Sequence, residues 1–336
     1  MKQIKIVVSK DTMPLMNEKL KILVCGATGF IGRNIVEEFA SNQKYEIVAT
    51  YHIKKPFHHS NVKWVKVDLL NTEEVEFVIN GIDIIIQSAA ITTGINQVFL
   101  NPEVHVTNNA IMNSLIFRAA NKYKVKHLVF FSCTTILQNS ETPLKENNFD
   151  ANAELYPKYF GSGWTKIYLE KMCEFFSRIG QTRFTVIRHS NTYGPWDKFD
   201  LVNSHVFGAT ITKVLTQNSE IEIWGTGKEK RDLIYVSDLV NLVQLVIENQ
   251  NTSFEVYNAG GRDFIEISEL VNKVMNLAGK TLNIKYNLEK PATNFSVRLD
   301  SSKAEKDFGW SQQVSLESGI EKTINFWLAE NDNLSK

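Results

Sequence analysis

The sequence has few cysteines and no long apolar run, and each shortage excludes a class of protein. Three of the 336 residues are cysteine, and Cys25, Cys133 and Cys173 stand far apart. An odd and scattered set predicts neither a disulfide framework nor a zinc site, and it favours a reducing compartment such as the cytoplasm. No stretch approaches the ~20 unbroken apolar residues of a membrane helix.

A net charge is also lacking. The 37 basic residues balance the 37 acidic residues, so no overall field would draw the chain to nucleic acid or to an anionic membrane. His58 and His59 have no partners at metal-ligand spacing, and we predict no metal site. The first residues lack the apolar core and cleavage site of a signal peptide, and we interpret residues 1–20 as an N-terminal extension, with Met1 or Met16 as the start.

Apolar runs alternate with helical patterns over the first 190 residues. Strands are predicted at 21–26, 46–51, 62–68, 83–90, 127–132 and 183–189, with helices between them, including 108–123. Continuous apolar strands separated by helices predict a parallel sheet covered on both faces, which is a Rossmann-type, doubly wound α/β fold. Such folds bind ligands outside the carboxyl ends of their strands.

The pattern changes after residue 190. A helix at 203–217, a strand and helix at 231–248 and a core strand at 254–261 follow, and Asp300 or Ser301 is a predicted N-cap. We therefore predict a smaller C-terminal α/β lobe that is interleaved with the sheet. The predicted sheet domain is 21–190 with a returning segment at 233–258, and the lobe is 191–232 with 259–336.

The stretch "GATGFIG" places Gly26, Gly29 and Gly32 between a predicted strand and a predicted helix. Glycines allow a tight turn there and let the backbone approach a diphosphate, which the free N–H groups of the helix would bind. The context predicts a dinucleotide site; the alternative is a tight turn with no ligand.

The second strand ends in "IVATYHIKKP", without the acid that usually binds the ribose of NAD. His52, Lys54 and Lys55 follow instead. An acid-free, cationic strand end favours the 2′-phosphate of NADP, although a solvated loop would have the same sequence. Asp68, at the end of the third strand, is placed to meet the adenine.

Several motifs together resemble the extended short-chain dehydrogenases that modify nucleotide sugars. They are "GATGFIG", "VDLL", "QSAA", "NNAIMNS", "RHSNTYGP", "RDLIYVSDL", "YNAGG" and "LDSSKAEKDFGW", and they occur in the family's order from about Lys21 to Phe326. The segment "NTYGPWDKFDLVNSHVFGATITKV" is most similar to the GDP-fucose synthase branch. The resemblance implies NAD(P), a nucleotide-diphosphate sugar, and a homodimer formed through helices 108–123 and 164–179.

The resemblance also implies particular binding residues. Those for the cofactor are Gly26, Thr28, Gly29, Phe30, Ile31, Gly32, His52, Lys54, Asp68, Leu69, Ala89, Ala90, Asn109, Lys166 and His189. Those for the substrate are Arg231 at the diphosphate, with Asn191, His205, Trp224 and Arg298. Arginine suits a diphosphate and tryptophan offers a face to a base or ribose. The structural alternatives are an Arg that caps its strand and a Trp in the core.

The family's catalytic set is Ser or Thr, Tyr and Lys, with Tyr four residues before Lys, and this chain departs from it twice. Lys166 matches the family lysine, but Ser162 stands at the tyrosine position. Cys133 stands at the Ser or Thr position, between Ser132 and Thr134. A serine hydroxyl has a shorter reach than a phenol, and it is far less acidic than the phenol pKa of about 10.

Three outcomes remain open for the missing tyrosine. Tyr159 lies seven residues before Lys166, and at ~100° per residue it returns to the lysine's face of a helix. His205 is the second candidate, because an imidazole pKa of about 6.5 suits acid–base catalysis. The third is a catalytically impaired protein that binds NAD(P) and a nucleotide sugar in a regulatory or scaffold role.

Two absences narrow the reaction that the resemblance implies. The family's 4,6-dehydratases carry Asp-Glu where this chain has Thr134 and Thr135. The cysteine that GDP-fucose synthase uses for C3/C5 epimerisation is replaced by Thr135. The remaining prediction is hydride transfer at C4 of a GDP-hexose or GDP-heptose, as a dehydrogenase, 4-keto reductase or 4-epimerase in surface polysaccharide biosynthesis.

Overall fold

The computed structural model describes residues 19–91, 102–290 and 292–334. Its strands, in chain order, are β1 (Leu20–Cys25), β2 (Tyr45–Tyr51), β3 (Val62–Lys66), β4 (Ile84–Gln87), β5 (His127–Cys133), β6 (Ser140–Leu144), β7 (Arg183–His189), β8 (Asn191–Tyr193), β9 (Glu220–Trp224), β10 (Lys230–Tyr235), β11 (Phe254–Ala259), β12 (Asp263–Glu266), β13 (Asn283–Asn287) and β14 (Val297–Leu299).

The helices are α1 (Phe30–Phe39), α2 (Thr72–Ile79), α3 (Pro102–Lys122), α4 (Phe160–Ile179), α5 (Val206–Thr216), α6 (Val236–Asn249), α7 (Ile267–Leu277), α8 (Ser302–Phe308) and α9 (Leu316–Leu334). In the part of the chain that the structure describes, no helix is both long and apolar enough to span a bilayer. Most of the predicted N-terminal extension lies outside the described residues.

Seven of the strands form one sheet in the order β11-β7-β5-β4-β1-β2-β3, and every neighbouring pair is parallel. The strand order changes direction at β1, which lies between β4 and β2. Such a switch point opens a crevice at the carboxyl ends of the strands, where doubly wound folds bind ligands. The predicted Rossmann-type fold is therefore confirmed.

Helices cover both faces of this sheet because successive side chains of a strand point to opposite faces. Ile22 and Val24 of β1 pack with Ile35 of α1 and Leu239 of α6 on one face. Leu23 packs on the other face, in the cluster that also contains residues of α2, α3 and α4. Because helices cover both faces of the sheet, its strands are continuous apolar runs and do not alternate between apolar and polar residues.

The C-terminal part forms three small sheets, β12-β10-β8, β13-β9 and β14-β6. Its core lies among α5, α7 and α9. A smaller cluster contains Ile136, Leu137, Leu155, Ile167 and Phe295, and thereby joins the start of α4 to the chain that leads into β14. This cluster fixes the N-terminal end of the lysine helix against the C-terminal part.

The predicted element boundaries differ from the observed ones by a few residues. The helix predicted at 108–123 begins at Pro102, and the one predicted at 203–217 covers Val206–Thr216. Ser301 is the N-cap of α8, but the Asp300 carboxylate accepts from the Ser302 N–H at 2.8 Å, so both candidates contribute. Helix ends fray, and boundary errors of this size are expected.

Candidate active site

The glycine turn between β1 and α1 is too crowded for side chains. Gly26 has φ +74°, and a Cβ there would lie 2.6 Å from the Cα of Ala89. A Cβ on Gly32 would lie 2.3 Å from the Gly26 carbonyl oxygen. Gly29 is the N-cap of α1, and the N–H groups of the first helical turn have no acceptors within the helix. The turn therefore has the shape and the donors to hold a dinucleotide diphosphate.

Two hydroxyl groups fix this turn. Thr50 at the end of β2 is buried, and its Oγ1 accepts a hydrogen bond from the Gly26 N–H at 3.1 Å. Ser88 Oγ donates to the Cys25 carbonyl at 2.6 Å. Thr50 lies at the strand end where NAD-binding folds usually have an acid, and its hydroxyl supports the glycine turn.

The other predicted cofactor residues differ in their position, exposure and hydrogen bonds. Thr28, Phe30 and Ile31 belong to the turn and the first helical turn, and Leu69 and Ala90 follow the ends of β3 and β4. His52 and Lys54 are exposed. Asp68 Oδ1 accepts from the Leu70 N–H at 3.0 Å. The Asn109 amide bonds both the N–H and the carbonyl of Ile91, at 2.9 and 3.1 Å, so it holds the chain beyond β4.

Sequence reasoning missed Arg33, which follows the third glycine. Its guanidinium carbon lies 3.1 Å from the ring centroid of Trp196 and 4.2 Å from that of Phe57. Arg33 Nε donates to Glu37 at 2.9 Å, and Trp196 Nε1 donates to the other carboxylate oxygen at 3.2 Å. Among the described residues, the two terminal nitrogens of Arg33 make no hydrogen bond. A cation directly after "GFIG" was the signal that could have revealed it.

Lys54 lies within electrostatic range of Arg33, and Lys198 lies within electrostatic range of Lys54. The side chain of Lys54 is exposed, but partial desolvation and the charge of Arg33 lower its pKa. Burial also lowers the pKa of Lys198, and Lys54 adds to the effect while Asp197 and Asp200 oppose it. The side of the crevice next to β2 is therefore cationic.

Lys166 lies on α4 beside the carboxyl end of β5. Its Nζ donates to the Phe131 carbonyl at 2.7 Å and lies 4.6 Å from the ring centroid of Phe130. Burial lowers the pKa of Lys166, and the neighbouring Cys133 and Glu170 oppose that shift. The ammonium is thereby held at the strand end, beneath the predicted crevice.

The candidate residues at the end of β5 differ in burial, because successive side chains of a strand point to opposite faces. Ser132 is fully buried and its hydroxyl has no partner among the described residues. Cys133 is only partly buried, and its Sγ lies 3.0 Å from Thr135 Oγ1. Thr134 begins a 3₁₀ helix, Thr134–Ile136. Ser132 therefore cannot reach a substrate without rearrangement, whereas Cys133 lies within electrostatic range of both Lys166 and Tyr159.

Ser162 and Tyr159 have different surroundings. The Ser162 hydroxyl donates to the Tyr159 carbonyl at 3.3 Å, a bond within its own helix end. Tyr159 is the N-cap of α4, and its ring packs edge-on against Phe295 at 5.1 Å. Burial raises the pKa of Tyr159, while the charge of Arg231 and a hydrogen bond with Thr293 oppose the rise.

A cavity of about 820 Å³ lies in the C-terminal part, and Tyr159 at the N-terminal end of α4 also lines it. Its wall includes Tyr159, Asn191, His205, Trp224 and Arg231, which sequence reasoning had named, and also Glu229 and Thr293, which it had not. Arg298 is not in the wall, and its guanidinium lies 3.4 Å from the Arg262 carbonyl instead. Its role at the substrate stays a prediction.

The cationic and aromatic groups of the cavity are held by neighbouring residues. Arg231 donates to the Phe295 carbonyl at 3.0 Å and to Thr293 Oγ1 at 2.8 Å. Trp224 Nε1 donates to Glu222 at 2.7 Å. Trp224 therefore lines a cavity and does not lie in a core, and Arg231 does more than cap its own strand.

His205 lines the cavity, and His189 lies within electrostatic range of both His205 and Lys166. His205 is the N-cap of α5, where its ring is accessible, and partial desolvation together with Lys198 lowers its pKa. His189 ends β7, where burial lowers its pKa to about 4, with smaller contributions from Lys166 and His205. Asn191 Nδ2, in β8, donates to the Asp232 carbonyl at 3.0 Å.

The doubly wound sheet with its switch point at β1, and the glycine turn at that point, are typical of a dinucleotide-binding protein of the Rossmann type. Residues 22–260 match the family described as "NAD dependent epimerase/dehydratase family", and the chain belongs to this family. The predicted membership of the extended short-chain dehydrogenases is thereby confirmed.

Two relatives and one solved structure indicate the range of this similarity. GDP-L-colitose synthase of Yersinia pseudotuberculosis is 28% identical over 94% of this chain and 100% of its own length. A GDP-L-fucose synthase of Azorhizobium caulinodans is 25% identical over 94% of this chain and 99% of its own length. The UDP-glucuronic acid 4-epimerase of Bacillus cereus, solved with UDP-glucuronic acid and NAD, superposes with a TM-score of 0.81 at 23% identity, covering 93% of this chain and 100% of its own.

Proposed function

We propose that this protein is an NAD(P)-dependent enzyme that transfers hydride at C4 of a GDP-sugar, as a dehydrogenase, 4-keto reductase or 4-epimerase. The observation that carries the proposal is the single cavity that brings Tyr159, His205, Trp224 and Arg231 together. GDP is supported by the names of the two relatives, and surface polysaccharide biosynthesis in the cytoplasm is the role we assign.

In this proposal the two parts of the chain divide the work. Residues 21–190 with 233–258 bind the cofactor, and residues 191–232 with 259–336 bind the nucleotide sugar. The glycine turn fits a dinucleotide, because its free N–H groups suit a diphosphate and its glycines allow close packing: a Cβ at Gly26 would clash with Ala89, and one at Gly32 would clash with the Gly26 carbonyl oxygen. A bound nicotinamide supplies the hydride acceptor or donor.

Lys166 holds a positive charge at the reacting end of the crevice. Its position is set by the Phe131 carbonyl at 2.7 Å. A fixed ammonium in a partly desolvated site stabilises an oxyanion on a neighbouring group more strongly than it would in water. Cys133, which stands at the family's Ser or Thr position, is the group that would donate a hydrogen bond to the C4 oxygen.

We assign the proton transfer to Tyr159. Its phenol lines the cavity and is protonated at neutral pH, so it can donate to an oxygen on the substrate. Burial raises its pKa, and the charge of Arg231 opposes that rise. Ser162 is the weaker candidate because its hydroxyl is engaged with the Tyr159 carbonyl. His205 is the alternative carrier, since its lowered pKa leaves the ring neutral and able to accept a proton.

The experiment is to mix the protein and a nicotinamide cofactor with candidate GDP-sugars and their 4-keto forms, and to follow the nicotinamide absorbance. We expect turnover with at least one sugar and a loss of ~100-fold or more in kcat for Tyr159→Phe, within the range of general acid–base contributions. His205→Asn is the matched variant in the same cavity. Unchanged turnover in both variants would contradict our assignment of the proton carrier.

A second candidate function rests on the missing tyrosine. Ser162 bonds its own helix end, and the site could bind cofactor and nucleotide sugar without fast turnover. Such a protein would regulate or scaffold a pathway. A bound cofactor whose redox state never changes with any of the sugars, while the sugars still bind, would favour this candidate over the enzyme.

We further propose that the enzyme prefers NADP. Arg33 is held flat between Phe57 and Trp196, and Lys54 lies within electrostatic range. A planar guanidinium with two unused nitrogens is suited to bind a phosphate with both of them. An enzyme that used NAD would instead gain from an acid at this strand end.

The exposed face of α4 supports a homodimer. Phe160, Tyr168, Phe175 and Ile179 are each more than half exposed on this helix, and Ile111 of the neighbouring α3 is nearly half exposed. Their spacing places most of them on one stripe of α4. An exposed apolar stripe of this kind is typical of a surface that a second copy covers.

A further inference from the structure

The guanidinium of Arg33 is held by three neighbouring side chains. Its Nε donates to Glu37 Oε1 at 2.9 Å, and Trp196 Nε1 donates to the other oxygen of the same carboxylate at 3.2 Å. Its central carbon lies 3.1 Å from the ring centroid of Trp196 and 4.2 Å from that of Phe57. At 3.1 Å only a guanidinium parallel to the indole avoids a clash. Trp196 therefore sets the plane of the Arg33 head, and Glu37 sets its rotation within that plane.

The two terminal nitrogens of Arg33 are left for a ligand. They make no hydrogen bond within the part of the chain that the structure describes. The fully buried side-chain nitrogens without a partner do not include them, so these atoms reach the surface of a side chain that is 19% exposed. Phe57 follows β2, whose end is where doubly wound folds hold the adenosine ribose. The arginine is therefore fixed beside that strand end with two donors to spare.

Trp196 comes from the segment after β8, and its backbone is strained. Its φ is +68°, in the left-handed region that a bulky residue seldom adopts. Asn34 of α1 donates to the Pro195 carbonyl at 2.9 Å, and Phe326 of α9 packs edge-on against the Trp196 ring at 4.6 Å. Strain of this kind persists only where surrounding contacts impose it, and it is concentrated at ligand sites. The fold thus keeps a costly conformation that places an indole on Arg33.

We propose that Trp196 and Glu37 are positioning residues for the 2′-phosphate of NADP, because they hold Arg33 with both terminal nitrogens ready to bind it. The inference rests on the proposed NADP preference and adds that the segment after β8 completes the site that selects the cofactor. A flexible arginine loses side-chain freedom when it binds a phosphate. An arginine that is already ordered has less freedom to lose, so it binds the phosphate more tightly.

Glu37 distinguishes positioning from simple charge. By charge alone, a carboxylate close to a phosphate site repels the phosphate, and its removal should strengthen binding. If the carboxylate instead orders Arg33, its removal should weaken binding. The two explanations therefore predict opposite signs for Glu37→Ala.

The test compares adenosine 2′,5′-bisphosphate with 5′-AMP by isothermal titration calorimetry, because these two ligands differ only in the 2′-phosphate. We expect the wild type to bind the bisphosphate ~10- to 100-fold more tightly, as charge-assisted hydrogen bonds imply. Trp196→Leu and Glu37→Ala should each reduce this ratio ~3- to 10-fold, the effect of ordering one long side chain. The affinity for 5′-AMP should change by less than ~2-fold, which a general loss of structure would not allow.

Trp196→Phe and Glu38→Ala are the matched controls. Phenylalanine keeps a ring face for Arg33, and Glu38 is an exposed carboxylate on the same helix. Both variants should keep the ratio within ~2-fold of the wild type. An unchanged ratio in Trp196→Leu, an equal loss in Trp196→Phe or a raised ratio in Glu37→Ala would overturn the inference. If Trp196→Leu does not fold, Glu37→Ala decides.

Arg33→Gln separates this inference from the proposal on which it rests. A wild-type ratio near one overturns the NADP preference and the inference with it. A high wild-type ratio that is lost in Arg33→Gln but kept in Trp196→Leu overturns the inference alone.

Discussion

The buried ion pair behind Lys166 gives the sharpest prediction about stability. Glu170 lies one helical turn after Lys166, and Arg188 lies on the neighbouring strand β7. Arg188 donates three hydrogen bonds to this carboxylate, at 2.7, 3.1 and 3.3 Å, and a fourth to the Glu146 carbonyl at 2.9 Å. The two side chains are 6% and 8% exposed. The pair therefore anchors the lysine helix to the sheet from inside the protein.

Replacing Arg188 with Met leaves the Glu170 carboxylate buried without its partner. Breaking a buried pair in this way costs about 3–5 kcal/mol in the free energy of unfolding. The lost bond to the Glu146 carbonyl is included in that range. The double variant Glu170→Leu/Arg188→Met removes both charges, and we expect it to recover at least half of the loss, since a buried pair contributes little compared with apolar side chains of similar volume.

Urea unfolding at pH 7 measures these values from the midpoint and the slope. The control is Lys122→Met, because the surface pair of Lys122 and Glu76 has the same 2.7 Å separation but is 54% and 26% exposed. Exposed pairs of this kind contribute little to stability, because water screens their charges. The reasoning fails if Arg188→Met costs no more than the control variant, or if the double variant is as unstable as the single one.

Three further predictions concern pH, the cofactor and assembly. His127 is fully buried with its pKa lowered to about 3, so at this site the unfolded state binds more protons than the folded state below pH ~6.5. Its contribution to the free energy of unfolding should fall by about 1.4 kcal/mol per pH unit as the pH is lowered from 6 to 4, and His127→Gln should remove this contribution from the slope measured in urea titrations. In fluorescence titrations, Arg33→Gln should weaken the binding of NADPH ~10- to 100-fold but that of NADH by less than ~3-fold. Lys44→Gln, at an exposed lysine, should change neither affinity. Equal losses for the two cofactors would contradict the NADP preference. Light scattering should give a dimer mass for the wild type and a monomer mass for Tyr168→Glu, whereas Phe77→Glu, exposed on α2, should remain dimeric; a monomeric wild type would refute the interface.

Much of the fold could be predicted because its determinants are local. Buried parallel strands require continuous apolar runs, and β1 and β4 are such runs in the sequence. The glycine turn could be predicted for the same reason, since Gly26 and Gly32 stand where no Cβ fits. The resemblance to the family identified Lys166 and its missing tyrosine, and helical spacing added that residues four positions apart share a face.

The composition of the candidate site depended on contacts between distant segments. Trp196 reaches back to Arg33 on the first helix, and Thr293 reaches Arg231 across the cavity. No periodicity encodes these pairs, because each residue's own neighbours in sequence would permit several orientations of its side chain.

The sequence by itself determined the sheet, the dinucleotide turn and the position of the lysine, since hydrophobic periodicity and backbone sterics act over a few residues. Only the tertiary structure decided that the Ser162 hydroxyl is engaged with its own helix, that Tyr159 lines the cavity and that Ser132 is fully buried. The physical reason is that hydrogen-bond partners and burial are properties of packed segments, and they are fixed only when the chain closes on itself.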